Sequence, residues 1–145
     1  MGRHDQSALR GAGSGRGKLR AARSGRFRHR RSWFNVFAVT DGAVATPDRG
    51  ALEGITRFSV AELCENLRVP FAARPVSAAE LRDADEIFLS TTAGGIMPVS
   101  RLDTRILGND RPGPIASLLR ETFWAKRAEG WHATPIDYEL APAAA

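Results

Sequence analysis

The chain changes character at one point, and that point limits what it can fold into. Residues 1–32 carry ten Lys and Arg residues and one acid, Asp5, a net charge of +9. Residues 33–145 carry 11 basic and 15 acidic residues, a net charge of −4. Apolar residues at strand or helix spacing begin at Phe34. Any core must therefore come from the second part, which is long enough for one domain.

The basic first part lacks the means to fold on its own. Its large apolar side chains are few, chiefly Leu9, Leu19 and Phe27. These cannot bury enough surface to offset the entropy of ordering the chain. We therefore predict a disordered basic arm over residues 1–32, and a loose tail over residues 141–145.

Local signals for strands and helices follow one another from Phe34 onward. Asp41-Gly42 lies between two short apolar runs, which is a strong signal for a β-hairpin. A helix is predicted next, and Pro70 ends it. The buried stripe of this helix is expected to consist of Val60, Leu63, Cys64 and Leu67.

The later signals intermix strands and helices in the same way. A strand is predicted over residues 69–76, and Ser77 with Glu80 forms a capping box that starts a short helix. A strand follows over residues 86–90. The last helix is expected to begin at Pro114 and end at Gly130, with a buried face of Ile115, Leu118, Leu119, Thr122 and Phe123. The class is therefore α/β, of the mixed α+β kind.

Two further features have ordinary structural interpretations. Asp83, Asp85 and Glu86 form an acidic cluster, for which we expect a solvated helix end. The residues that follow Gly130 are expected to form a short last strand before the loose tail.

Two loops have the composition of anion sites. Gly54, Ile55 and Thr56 precede or open a helix, where free amides and the helix dipole favour negative charge. Thr91 and Thr92 end a strand and are followed by small residues that let the backbone approach a ligand. On spacing alone each signal is weak, because such loops are more often ordinary turns.

Taken together and in this order, the motifs resemble a known family. "FNVFAV", "TPDRGALEGITR", "ELRDADEIFLSTTAGGIMPV" and "RPGPIASLLRETFWA" resemble the C-terminal part of class IV (fold type IV) pyridoxal-phosphate-dependent aminotransferases. "TTAGGIMPV" is most similar to the (R)-selective amine transaminase branch, beside the branched-chain enzymes. The resemblance covers residues 34 to about 138. It implies a truncated D-amino-acid aminotransferase-like fold over residues 33–140.

The resemblance also implies a role for each matching residue. The cofactor-binding set is Leu52, against a face of the pyridine ring, and Gly54, Ile55, Thr56, Thr91 and Thr92, around the phosphate. The amides of Thr92 and Ala93 are expected to face the carboxylate, or its equivalent, of the substrate. Substrates would be an amine or amino acid and a keto acid, and relatives are usually homodimers.

Two residues that transamination requires have no counterpart in this chain. The family uses a lysine that bonds to the cofactor and then carries the proton. The two lysines here, Lys18 and Lys126, do not match its position. Arg30 stands where the family has a pyridine-binding glutamate, five residues before Asn35, for which we expect a structural role. We therefore expect no catalytic residue in this chain and interpret it as an inactive fragment.

Both departures fall before Phe34, which suggests a shifted reading frame. Residues 1–33 can be back-translated with permitted codons and read one base later, ending in "TEGP". Restoring one base then gives "TEGPGFNVF", with the missing glutamate. Codon degeneracy permits several such back-translations. Our hypothesis is that residues 1–32 are out-of-frame sequence.

The alternative is a genuine arm on a non-catalytic binding or dimerising module. A basic arm binds phosphate backbones through counterion release. This arm has one aromatic residue, Phe27, and no nucleic-acid motif, so nucleic acid is not the expected partner. No apolar run has the length of a membrane span. His132 lacks metal-ligand neighbours and Cys64 is expected in the core, so we predict no metal site. A single cysteine cannot form an internal disulfide, which is compatible with the cytoplasmic location that we predict.

Overall fold

A computed structural model describes residues 34–49, 51 and 53–136, together with the backbone of residues 17–19. Helices and strands alternate along these residues, which confirms the predicted mixed α/β class. In chain order they are β1 (Gly17–Leu19), β2 (Asn35–Thr40), β3 (Ala43–Thr46), α1 (Ile55–Asn66), β4 (Phe71–Ala73), α2 (Ala78–Asp83), β5 (Glu86–Thr91), β6 (Gly95–Leu102), β7 (Arg105–Ile106), a 3-10 turn (Gly108–Asp110) and α3 (Pro114–Ala128).

The strands form one mixed sheet in the order β1-β6-β5-β2-β3-β4, and β7 pairs with β6. β2 pairs antiparallel with both β3 and β5, and β5 pairs antiparallel with β6. β3 with β4 and β1 with β6 are parallel pairs. The N-terminal end of β2 therefore lies beside the C-terminal end of β5.

Both faces of the sheet are covered, which explains why its central strands are apolar throughout. On one face Phe37 and Phe88 stack with ring centroids 4.6 Å apart beneath α1 and α3. On the other face Val36 and Leu89 pack with Leu81 of α2. Successive side chains of a strand point to opposite faces. Two cores on one sheet therefore require apolar residues at nearly every position.

The hairpin and the first two helices follow the sequence signals closely. Asp41 and Gly42 have φ values of +49° and +76°, as a two-residue turn between β2 and β3 requires. Cys64 is fully buried in the expected stripe of α1, and burial raises the pKa of its thiol to about 11. The Ser77 hydroxyl accepts a hydrogen bond from the Glu80 amide, as in the predicted cap of α2.

Some local predictions are wrong in detail. The strand predicted over residues 69–76 is limited to β4, three residues between Pro70 and Arg74. The predicted capping box does form, since the Glu80 carboxyl contacts the Ser77 backbone, but Glu80 also binds the Arg74 guanidinium at 2.5 Å. Leu118, expected on the buried face of α3, is 42% exposed. No regular element forms over residues 131–136, where the short last strand is predicted to begin.

The predicted disordered arm differs from the structure at three residues. Gly17–Leu19 form β1, which pairs with Val99, Arg101 and Leu102 of β6. The other residues of 1–32, and the predicted tail over 141–145, lie outside the described residues.

Glu86 fixes the start of α3 from a distance in the sequence. Its side chain is buried, and its two carboxylate oxygens accept hydrogen bonds from the amides of Ile115 (3.1 Å) and Ala116 (2.8 Å). A side chain on Gly113 would overlap this carboxylate. Glu86 thus acts as the cap that α3 lacks locally, and it complements the positive end of the helix. It is not part of the solvated acidic cluster expected with Asp83 and Asp85.

The segment after α3 is attached to α1 by one acidic residue. Glu62 accepts a hydrogen bond from the Trp131 indole at 3.1 Å and contacts His132 Nε2 at 2.8 Å. The Lys126 ammonium lies 5.4 Å from the centroid of the Trp131 ring. The contacts with His132, Trp131 and Lys126 lower the pKa of Glu62 below its ordinary value of 4.5.

Replacing Glu86 by alanine should destabilise the fold by about 2–3 kcal/mol, because two amides at the start of α3 lose their partners. Urea unfolding followed by circular dichroism measures this change. The matched control is Glu121→Ala, an exposed acid on α3, for which we expect a change within about 0.5 kcal/mol. Equal stability of the two variants would contradict the capping role.

The hydrogen bond between Glu62 and the Trp131 indole should weaken at low pH. A carboxyl whose folded pKa is lowered stabilises the fold above its ordinary pKa of 4.5, and this contribution disappears as the pH falls through the lowered value. The chemical shift of the Trp131 indole N–H should therefore change below pH 4.5. The Glu62→Gln variant keeps a hydrogen-bond acceptor but does not titrate, so its Trp131 indole shift should stay constant below pH 4.5. The same pH dependence in the wild type and in this variant would contradict the role of Glu62.

Candidate functional site

The two loops with the composition of anion sites lie side by side at one edge of the sheet. The Thr56 hydroxyl in the first turn of α1 donates to the carbonyl of Thr91 at 3.4 Å. Thr91 ends β5 and begins the turn to β6. This contact joins the two loops, which are separated by more than thirty residues in the sequence.

The start of α1 offers free backbone donors at this edge. Gly54 is its N-cap and provides no side-chain cap. The amides of Arg57 and Phe58 bond to the Gly54 carbonyl, whereas those of Ile55 and Thr56 bond to no other residue within the described ranges. Ile55 is 80% exposed and Thr56 is half-buried. An uncapped helix start with accessible amides favours an anion.

The turn from Thr91 to Gly95 is built around the Thr91 hydroxyl. The Gly94 amide donates to Thr91 Oγ1 at 2.7 Å, so that oxygen already serves as an acceptor inside the turn. Gly95 has φ +61°, and a side chain there would approach the ring of Phe123 to 2.7 Å. Thr92 and Ala93 are exposed at the tip. The turn therefore presents Thr92 and Ala93 and uses Thr91 to hold its shape.

Two buried polar atoms at the same edge have no hydrogen-bond partner. They are Asn35 Oδ1 and Ser90 Oγ, on residues that are 5% and 2% exposed. The two residues face each other as a register pair between β2 and β5. The Asn35 amide nitrogen would lie 3.8 Å from a Cβ placed on Gly54. Unpaired buried polar atoms are rare and point to a missing partner such as water or a ligand.

The sequence predicts the two loops but only part of their surroundings. Ser90 is predicted as an ordinary strand residue, although it precedes the two threonines. Arg57 is absent from the predicted site residues; it is 8% exposed in the first turn of α1 and pairs with no acid among the described residues. A positively charged residue beside the apolar stripe of a helix is unusual, and this position could have indicated Arg57 from the sequence. Leu52, predicted to contact the cofactor ring, lies outside the described residues.

His132 contacts Glu62, and no group of three potential metal ligands forms among residues 34–49, 51 and 53–136. No helix in these ranges has the length and apolar character needed to cross a membrane.

Comparisons with known proteins show that this segment is similar to class IV aminotransferases. Residues 31–102 match a family model described as amino-transferase class IV. A "Probable branched-chain-amino-acid aminotransferase" of Thermotoga maritima is 43% identical over 94 residues, which are 63% of this chain and 34% of that protein. A D-alanine aminotransferase of Staphylococcus aureus is 33% identical over 91 residues, 61% of this chain and 32% of that protein.

Solved structures give the same result for the fold. The Escherichia coli branched-chain amino acid aminotransferase matches with a TM-score of 0.61 and 35% identity, over 63% of this chain and 31% of that chain. A branched-chain amino acid aminotransferase of T.th. in complex with N-(5'-phosphopyridoxyl)-L-glutamate matches with a TM-score of 0.61 and 34% identity, over 68% of this chain and 34% of that chain. The chain thus spans about a third of the length of the relatives it matches.

Proposed function

Because residues 31–102 of this chain belong to the amino-transferase class IV family, we propose that the paired loops hold the phosphate of pyridoxal 5'-phosphate. The reaction assigned to the complete protein is transfer of an amino group between an amine or amino acid and a keto acid. The observation that carries this proposal is the contact between Thr56 and Thr91, which brings two sets of phosphate donors together.

The donors fit a phosphate dianion. The amides of Ile55 and Thr56 supply two hydrogen bonds at the positive end of α1. The exposed backbone and hydroxyl of Thr92 supply further donors from the opposite loop. Thr91 contributes indirectly, since its side-chain oxygen accepts from the Gly94 amide and thereby holds the turn that carries Thr92.

The groups behind these donors also suit an anionic ligand. Ser90 Oγ lacks a partner and could donate to a bound anion, whereas Asn35 Oδ1 only accepts and would need a donor such as ordered water. Arg57 adds a positive charge to the first turn of α1 that no described acid neutralises. A buried cation without an acidic partner is costly, and a nearby anion reduces that cost.

Binding and orientation are the roles that this segment performs. Pyridoxal phosphate, when bound, supplies the electron sink for chemistry at the substrate carbon. Thr92 and Ala93 would orient the carboxylate of the substrate through their amides. Contact of Leu52 with the cofactor ring remains part of the proposal on the basis of the family resemblance.

We further propose that the chain as given binds phosphate without catalysing transamination. Lys126 is the one lysine within residues 34–49, 51 and 53–136. It lies near the end of α3, where its ammonium contacts the Trp131 ring rather than either loop. A side chain held there cannot form the bond to the cofactor that the reaction needs.

The full chain should bind pyridoxal 5'-phosphate more tightly than pyridoxal, because the loops recognise the phosphate. Thr56→Val and Thr92→Val should each weaken binding of the phosphate compound about tenfold, by removing a hydrogen bond to a charged group. Equilibrium titration followed by the absorbance of the cofactor measures these affinities. Thr104→Val, in the exposed turn after β6, is the matched control and should bind as the wild type does.

Two results would contradict the proposal. One is equal affinity for the two compounds, and the other is equal affinity of the Thr92→Val and Thr104→Val variants. Measurable transfer of an amino group by the wild-type chain would contradict the second proposal alone.

The boundary near Trp33 supports the proposal that residues 1–32 are read out of frame. The family match begins at residue 31, next to the point where the charge and hydrophobic pattern change. Sequencing of the genomic DNA across the codons of Met1 to Trp33 should reveal an altered base count that restores "TEGPG" before Phe34. If the DNA confirms the frame of the printed sequence, the arm is genuine and binding of polyanions becomes its expected role.

A further inference from the structure

We propose that Met97 is a site of oxidative modification, and that its conversion to the sulfoxide by hydrogen peroxide releases the turn from Thr91 to Gly95. The inference concerns the turn itself and does not require that the turn binds a cofactor. It rests on the position of the Met97 thioether, on the lack of space around it, and on the scarcity of competing sulfur groups in the chain.

The Met97 sulfur lies directly against the turn. Met97 belongs to β6, pairs in register with Leu89 of β5, and is half-buried against the core on the α2 side of the sheet. Its Sδ atom is 3.9 Å from Thr91 Oγ1, which is the range of a weak contact between a hydroxyl and a thioether. The same hydroxyl oxygen accepts the hydrogen bond from the Gly94 amide at 2.7 Å.

The space between the sulfur and the turn is filled. A Cβ atom placed on Gly94 would lie 2.5 Å from Met97 Sδ, 2.8 Å from Thr91 Oγ1 and 3.1 Å from Met97 Cγ. Distances below 3.0 Å require neighbouring atoms to move. An oxygen added to the sulfur on the side of the turn therefore has to displace the Thr91 hydroxyl, the Gly94 backbone or the end of the Met97 side chain itself.

The chemistry of the modification is a two-electron oxidation. The thioether sulfur attacks the peroxide, an S–O bond forms, the O–O bond breaks, and the second oxygen leaves as water. The product is polar, and its oxygen is a strong hydrogen-bond acceptor in place of an apolar sulfur. The Thr91 hydroxyl would donate its hydrogen to this oxygen while it accepts from Gly94 through a lone pair, so the disturbance comes from the volume of the added oxygen, which moves Thr91 Oγ1 away from the Gly94 amide. The Gly94 amide is then expected to lose its partner.

Few other groups in the chain compete for the oxidant. The sequence contains two methionines, Met1 and Met97, and one cysteine, Cys64. Cys64 is fully buried, and burial raises the pKa of its thiol to about 11, so the reactive thiolate is scarce at neutral pH. Peroxide is therefore directed to the methionines, and Met97 is the one that contacts the turn.

The test is hydrogen exchange of the Gly94 amide in the full chain, measured by NMR before and after treatment with hydrogen peroxide. Mass spectrometry of proteolytic peptides shows whether Met97 has gained one oxygen. Oxidation of Met97 should accelerate exchange of the Gly94 amide about tenfold, since a hydrogen bond of ordinary strength is lost. Treatment with the two methionine sulfoxide reductases should restore the original rate.

Two variants separate this effect from general damage. Met97→Leu has no sulfur, so peroxide should leave its Gly94 exchange unchanged. Thr91→Val lacks the acceptor for the Gly94 amide, so exchange should be fast at the start and insensitive to oxidation. This second variant tests the assignment even if the leucine substitution unfolds the chain.

Two results would overturn the proposal. One is resistance of Met97 to peroxide under conditions that oxidise Met1. The other is a Gly94 exchange rate that stays the same when Met97 is fully converted to the sulfoxide. Either result stands independently of whether the chain binds pyridoxal phosphate.

Discussion

β2 and β5 pair antiparallel through five residue pairs, from Asn35 opposite Ser90 to Val39 opposite Glu86, and the rest of the structure is arranged around this pairing. Stacking of Phe37 on Phe88 fixes the register from within the core. Because a shift of one residue would exchange the two faces, the register is strongly determined. It brings the start of β2 to the end of β5, which is where the two loops meet.

Both ends of β5 contact α3, one through Glu86 and the other through the turn that follows Thr91. At one end Glu86 caps α3 through the amides of Ile115 and Ala116. At the other end the turn after Thr91 closes at Gly95, against which the ring of Phe123 packs. The helix is thus held at its start by charge and further along by close packing. The position of the turn that presents Thr92 depends on both contacts.

Features that depend on neighbouring residues could be predicted from the sequence. The hairpin at Asp41-Gly42, the start of α3 at Pro114 and the buried stripe that includes Cys64 follow from backbone preference and apolar spacing. Gly54 and Thr92 could be placed in loops from the sequence, whereas their proposed role at a phosphate depends on the family resemblance, because loops of this composition are more often ordinary turns.

Features that depend on distant partners could not be predicted in this way. The sequence groups Glu86 with an acidic cluster, since its true partners lie about thirty residues later. Ser90 and Asn35 acquire their significance from the strand pairing that places them together. The hydrogen bond that the Thr91 hydroxyl accepts from the Gly94 amide likewise depends on the folded turn, and the predicted contact of Thr91 with the cofactor stays a prediction. In each case tertiary structure decides between roles that the residue type alone allows.

The two loops that meet at Thr56 and Thr91 are proposed to form one phosphate site. The most direct test is a titration of the isotopically labelled full chain with pyridoxal 5'-phosphate, followed through its amide resonances by NMR. Saturable shifts of the Ile55, Thr56 and Thr92 amides, absent when pyridoxal is added instead, are the predicted result. Shifts confined to the basic residues of 1–32, with those three amides unchanged, would contradict it.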